Sequence, residues 1–336
     1  MIPPRGRTCG ALRHSDHARS RARCSALASL ACALIVNAPL PSHAAPARIE
    51  FSAAGDFSAA ALRSGVKATK AACERVDNAV WASTRGYGEE CLRYWAAGFG
   101  GKPVTRALVF FHGDLLSETG VSPLYLNASM AKLQRMAEDT ARQLDAPYVF
   151  FGRPGTYGSS GEHRQRRRLA ESMLISAGLD QLKARLQVRE WVIAGLSGGG
   201  HVTAALLTQR ADIVCAVPTS APSSPRMRWL VRGMTRDDTG YADSYEPTEH
   251  LQGVRMHPQL RVFVLGDPND SNVFWPSQTI LADKLKENGV AVEILRGEGT
   301  GPRAHALANS ARRVAGWCHH GLSTPEILRK AAGLKG

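Results

Sequence analysis

The 336-residue sequence has no cluster of histidines, cysteines and acids at metal-ligand spacing and no glycine-rich phosphate-binding loop, so it implies neither a metal nor a cofactor. No recognisable nucleic-acid module stands among its basic residues, which removes nucleic acid from the expected partners. No segment approaches the roughly 20 apolar residues that a bilayer span needs, so no stable membrane span is expected. Internal repeats and long low-complexity tracts are missing too. Acidic residues are scarce, 29 Asp and Glu against 42 Lys and Arg, for a net charge of +13. Ordinary solubility accounts for that surplus; long-range steering of acidic substrates or of an anionic envelope surface is the alternative.

What is present begins with a leader. Arg5, Arg7, Arg13, Arg19, Arg21 and Arg23 precede an apolar stretch, Leu27 to Val36, then Pro39, Pro41 and the small-residue site Ser42-His43-Ala44. This layout predicts a secretory signal peptide over residues 1–45, a mature chain from near Pro46, and a periplasmic or secreted location. Residues 1–44 hold six Arg against one Asp, a net +5, so +8 of the +13 survives cleavage. Cys9, Cys24 and Cys32 leave with the leader, and the four that remain suit an oxidising compartment. Cys73 and Cys91 bracket a candidate strand and turn and are expected to pair. Cys215, inside the apolar run Ile213 to Val217, is expected to be a buried thiol.

With 44% apolar residues, the remaining chain can bury one large core, and a single domain over residues 46–336 needs no second unit. From residue 106 onward apolar runs alternate with helical patterns, which predicts an α/β fold with a mostly parallel central sheet covered by helices on both faces. Strands are expected at 106–111, 147–151, 190–196, 213–219, 261–265 and 291–295. Helices are expected at 122–144, 164–186, 202–209, 277–288 and 305–317. Segments 79–84 and 91–97 look like antiparallel edge strands. Residues 221–259 interrupt the rhythm as a small lid-like insertion, whose Met227, Trp229, Leu230, Met234 and Tyr241 either line an acyl or aromatic pocket or pack the segment onto the body. Arg164, Arg166, Arg167 and Arg168 read as a solvated helix face, with attraction of a substrate carboxylate as the alternative.

The chemistry concentrates at Gly195-Leu196-Ser197-Gly198-Gly199, between the apolar run Glu190 to Ala194 and the helical run from Gly200. A strand that turns this sharply into a helix needs small residues two places either side of the nucleophile, and it presents Ser197 with the Gly198 N–H beside it. A serine hydroxyl needs a histidine base and a carboxylate to orient that base. Asp270, with Asp267 as the alternative acid, follows the strand 261–265, and His305 follows the strand 291–295. Both sit at the carboxyl edge, where open α/β sheets assemble their sites. A second oxyanion donor is expected after the first core strand, in His112-Gly113-Asp114, from the Asp114 backbone N–H or else that of Gly113. His112 itself is expected to brace that loop.

These motifs, together with Arg153-Pro154-Gly155-Thr156-Tyr157-Gly158-Ser159-Ser160-Gly161, resemble the α/β-hydrolase fold serine hydrolases over about residues 75–318. The resemblance implies a serine hydrolase that cleaves an ester, or less readily an amide, through an acyl-serine intermediate, on a small-molecule ester or peptide substrate, and the leader makes it an exported one. A peptidase of the prolyl-oligopeptidase type and a non-catalytic envelope-binding protein of the same fold are the other readings.

Overall fold

The computed structural model describes residues 47–117 and 120–336; the expected signal peptide lies outside the described residues. Nine strands form the main sheet: β1 (Ala79–Thr84), β2 (Gly88–Ala97), β3 (Val104–Phe111), β4 (Tyr148–Phe151), β5 (Val188–Leu196), β6 (Ile213–Thr219), β7 (Arg261–Gly266), β8 (Ala291–Glu298) and β9 (Leu334–Lys335). Their order is β9-β8-β7-β6-β5-β3-β4-β2-β1. Neighbours from β9 to β4 pair in parallel, whereas β2 runs antiparallel to both β4 and β1. Of the two strands expected at an edge, only β1 is one; β2 lies inside the sheet.

Seven helices matter for the site: α1 (Met130–Leu144), α2 (Leu169–Arg185), α3 (Gly198–Leu206), α4 (Pro225–Val231), α5 (Trp275–Glu287), α6 (Ala308–His319) and α7 (Thr324–Ala331). The period of two in a strand sends Ala107, Val109 and Phe111 of β3 to one face, where they join side chains of α2, α3 and α5. Leu108 and Phe110 go to the other, against α1, α6 and α7. Both faces are therefore dry, as a parallel sheet requires, and each large apolar side chain so buried contributes about 1.5–3 kcal/mol.

Several expected boundaries move for local reasons. The single helix over 122–144 is two, Pro123–Leu126 and α1, because the Ser129 side chain accepts from Lys132 N at 3.3 Å and starts a new helix. The helix expected from Arg164 begins only at Leu169, after a short 3₁₀ turn at His163–Gln165. Arg167 has φ +62°, outside helical geometry, and Arg166 and Arg167 are buried rather than solvated. The closing helix starts at Ala308, which leaves His305 in a loop. Cys73 and Cys91 are disulfide-bonded, and Cys215 is no free thiol, since it is bonded to Cys318 and ties β6 to α6.

Candidate active site

Register brings the site together. Phe111 of β3 pairs with Gly195 of β5, so the loop after β3 runs beside the turn that ends β5. Ser197 occupies that turn with φ 56° and ψ −120°, donates its backbone N–H to Thr219 O at 2.8 Å and accepts from His201 N at 3.0 Å. A Cβ at Gly195 would run into Gly199 O, and one at Gly199 into Phe111 O, so the small residues are a steric condition of the turn. A Cβ at Gly113 would lie 3.4 Å from Ser197 Cβ, which places the loop against the serine.

Across the carboxyl edge, His305 Nδ1 lies 2.7 Å from Asp270 Oδ2. Asp270 is buried, and its Oδ1 accepts from Asn272 N at 2.8 Å and Val273 N at 3.0 Å. Nδ1 thus carries the proton and Nε2 is left to accept; Nε2 has no hydrogen-bond partner among the described residues. Asp267 does something else: Oδ1 accepts from Asn269 N and Oδ2 from Gly299 N, each at 2.8 Å. It ties the loop carrying Asp270 to the one carrying His305, and Ser271 N adds a second tie by donating to Arg303 O at 3.0 Å.

Ser197 and His305 line one cavity of about 400 Å³. Its apolar wall includes Leu115, Leu133, Met136, Phe150 and Tyr157. The insertion at 221–259 contributes Pro222, Arg228, Arg232 and Asp238. Met227, Trp229, Leu230, Met234 and Tyr241 are not among the lining residues, so the segment edges the cavity with charge rather than with the apolar side chains its composition suggests.

No family model matches the sequence, and no curated protein matches it. Solved structures do. An acylaminoacyl peptidase in complex with Z-Gly-Gly-Phe-chloromethyl ketone superposes with a TM-score of 0.51 at 15% identity, covering 76% of this chain and 45% of that one. The uncomplexed acylaminoacyl peptidase of Pyrococcus horikoshii gives 0.50 at 15% identity, over 75% and 43%. The chain has the α/β-hydrolase fold. It spans less than half the length of those two peptidases. An esterase of Pyrococcus furiosus gives 0.48 at 15% identity, over 80% of this chain and 97% of that one.

Beneath Ser197 this α/β-hydrolase fold carries an ionic floor that sequence reasoning missed. A Cβ at Gly198 would meet the Asp114 carboxylate, so a full negative charge lies against the first turn of α3. Three arginines cover it: Arg153 Nη1 at 2.9 Å, Arg166 Nε at 3.3 Å, and Arg167. Burial opposes ionisation of Asp114, but Arg167, Arg153 and Arg166 outweigh it and hold the carboxyl well below its usual range. Those arginines have counter-charges of their own. Arg153 Nε donates to Glu171 at 2.8 Å, Arg167 Nη2 to Asp237 Oδ1 at 2.5 Å, and Arg166 Nη2 reaches Asp238 at 3.2 Å. Arg153 Nη1 also donates to His112 O at 3.1 Å and so holds the loop from below. The doublets Arg166-Arg167 and Asp237-Asp238 have opposite sign, the one signal in the sequence that could have paired them.

Burial also sorts the histidines. His112 Nδ1 donates to Gly113 O at 2.7 Å, and burial together with Arg153 pushes it down to about 3. Burial pushes His201 down to about 4 while its Nε2 donates to Tyr245 O at 2.8 Å. His163 is held well below the usual range, by burial first, and its Nε2 accepts from Leu115 N at 3.1 Å. These three are neutral braces.

Proposed function

We propose that this chain is an exported serine hydrolase that cleaves a carboxylic ester through an acyl-Ser197 intermediate. The observation that carries the reading is the 2.7 Å contact between His305 and Asp270 on a cavity that also exposes Ser197 at a strained strand-to-helix turn. His305 Nε2 takes the proton of Ser197 Oγ as it attacks the carbonyl, then delivers it to the leaving group. In the second half it draws a proton from water, which opens the acyl-serine and returns Ser197. Asp270 orients the imidazole and stabilises its charged form. The Gly198 and Asp114 backbone N–H groups serve the oxyanion, each worth about 3 kcal/mol of transition-state stabilisation. The two disulfides favour the periplasm or medium as the working compartment.

The likeness to acylaminoacyl peptidases favours a peptidase as the second reading, with the same three residues in the same roles. A fluorophosphonate probe and a chain-length series of p-nitrophenyl esters test the assignment on purified mature protein with Ser197→Ala alongside. Labelling and turnover in the parent alone is the expected result. A folded parent that neither labels nor turns over esters or peptides would leave the chain a binding protein of this fold.

A further inference from the structure

The cavity holding Ser197 and His305 is lined by charged as well as apolar side chains. Among them, Arg228 and Arg303 both reach one neutral residue, Asn272. Arg228 is 6% exposed, and its Nη2 and Nε lie 3.2 Å from Asn272 Oδ1 and 3.2 Å from Asn272 O. Arg303 is exposed, with Nη1 3.4 Å from the same Oδ1. A guanidinium has five donors, so one amide residue leaves most of the donors of two guanidiniums unanswered. Of the two acids lining the cavity, Asp114 is held by Arg153, Arg166 and Arg167, and Asp238, already paired with Arg166 and Arg167, accepts from Arg228 Nη1 at 3.4 Å and so answers one donor of that guanidinium. Arg303 faces no carboxylate among the described residues.

These arginines belong to the histidine's side of the site. Asn272 N donates to Asp270 Oδ1 at 2.8 Å, and Ser271 N donates to Arg303 O at 3.0 Å, so both guanidiniums are fastened to the loops that carry the acid and the base. In acyl transfer the leaving atom receives its proton from the histidine and must lie on that side. We propose that Arg228 and Arg303 bind an anion on the leaving group, so that the hydrolase, on the reading above, selects esters or amides joining an apolar acyl group to a carboxylate-bearing alcohol or amine. Ser197 Oγ displaces that alcohol or amine, which leaves with the proton from His305 while its carboxylate rests on the two guanidiniums. Water then releases the apolar acid.

The test uses two esters of hexanoic acid on the mature protein, one with 4-hydroxybenzoate and one with its neutral twin 4-hydroxybenzamide, each rate divided by the uncatalysed rate. The ratio of kcat/KM, anionic over neutral, is expected to be at least about tenfold in the parent and to fall at least about fivefold in Arg303→Gln and in Arg228→Met. Arg164→Gln, at an exposed position outside the cavity, controls for bulk charge and keeps the parental ratio. Arg303→Gln alone decides the matter if Arg228→Met does not fold. A parental ratio of one or below, or a ratio unmoved by Arg303→Gln, overturns the proposal and leaves the hydrolase reading standing. Turnover of neither ester, with Ser197 unlabelled by fluorophosphonate, overturns both.

Discussion

Ser197 is one of several non-glycine residues that this fold holds at positive φ. Arg167 at 62° and Tyr157 at 47° line the same cavity, Ala304 at 50° precedes His305, and Ser220 at 44° follows the strand that receives the Ser197 N–H. Each such conformation costs on the order of 1–3 kcal/mol and persists only where its surroundings over-determine it. The division of labour between the two candidate acids follows from the same local detail. Asp270 has one oxygen on backbone amides and one on the imidazole, whereas both oxygens of Asp267 are occupied by backbone amides. Asp270→Asn is therefore expected to lower kcat on the order of 10⁴-fold, since an amide cannot hold the required tautomer. Asp267→Asn keeps one acceptor for one of the two amides and is expected to stay within about tenfold of the parent while losing about 1–3 kcal/mol of stability. Steady-state kinetics and urea unfolding on both variants check the pair; equal losses of kcat would contradict it.

At the level of elements, what was legible in the sequence was what is local. The turn at Ser197 is written in five consecutive residues, and the sheet in apolar runs that need no partner to be recognised. The break inside 122–144 was hidden because apolar periodicity runs through Ser129, and only its cap reveals a new start. The ionic floor was hidden because its partners are distant: Arg167 and Asp237 are 70 positions apart, and Arg153 and Asp114 39. An arginine run looks solvated until the acids that bury it are placed. Cys215 looked like an ordinary buried thiol for the same reason, its partner lying 103 positions on. Arg153 joins three elements, reaching the loop after β3, its own loop after β4, and Glu171 in the first turn of α2. Arg153→Met would leave Glu171 short of its guanidinium, and Asp114 one counter-charge poorer, inside the fold. We expect it to cost about 3–5 kcal/mol in denaturant unfolding, against less than about 0.5 kcal/mol for the exposed Arg164→Gln.

Across the whole molecule, acid is the condition to which stability should be most sensitive. In the folded chain His112 is held down to about 3 and His201 to about 4, whereas both titrate near 6.5 when unfolded. Between those values the unfolded chain binds protons that the folded chain refuses. Stability present above about pH 6.5 is thus lost as pH falls from there toward 4, by up to ~1.4 kcal/mol per pH unit for each histidine. Urea midpoints at pH 7.5 and 5 measure the slope, and His201→Gln, which keeps a donor for Tyr245 O, is expected to flatten it; identical slopes would contradict this origin. The ionic floor constrains the chain over a longer time as well. Every member of the series Glu171, Arg153, Asp114, Arg167 and Asp237 is another's counter-charge, so none can be exchanged alone without stranding a neighbour. Leu133 and Met136 in the cavity's apolar lining can trade places with other apolar residues at a cost below about 1.5 kcal/mol. Lineages descending from this chain would therefore drift in the shape of the cavity's apolar lining while the charged floor changes only by paired replacement.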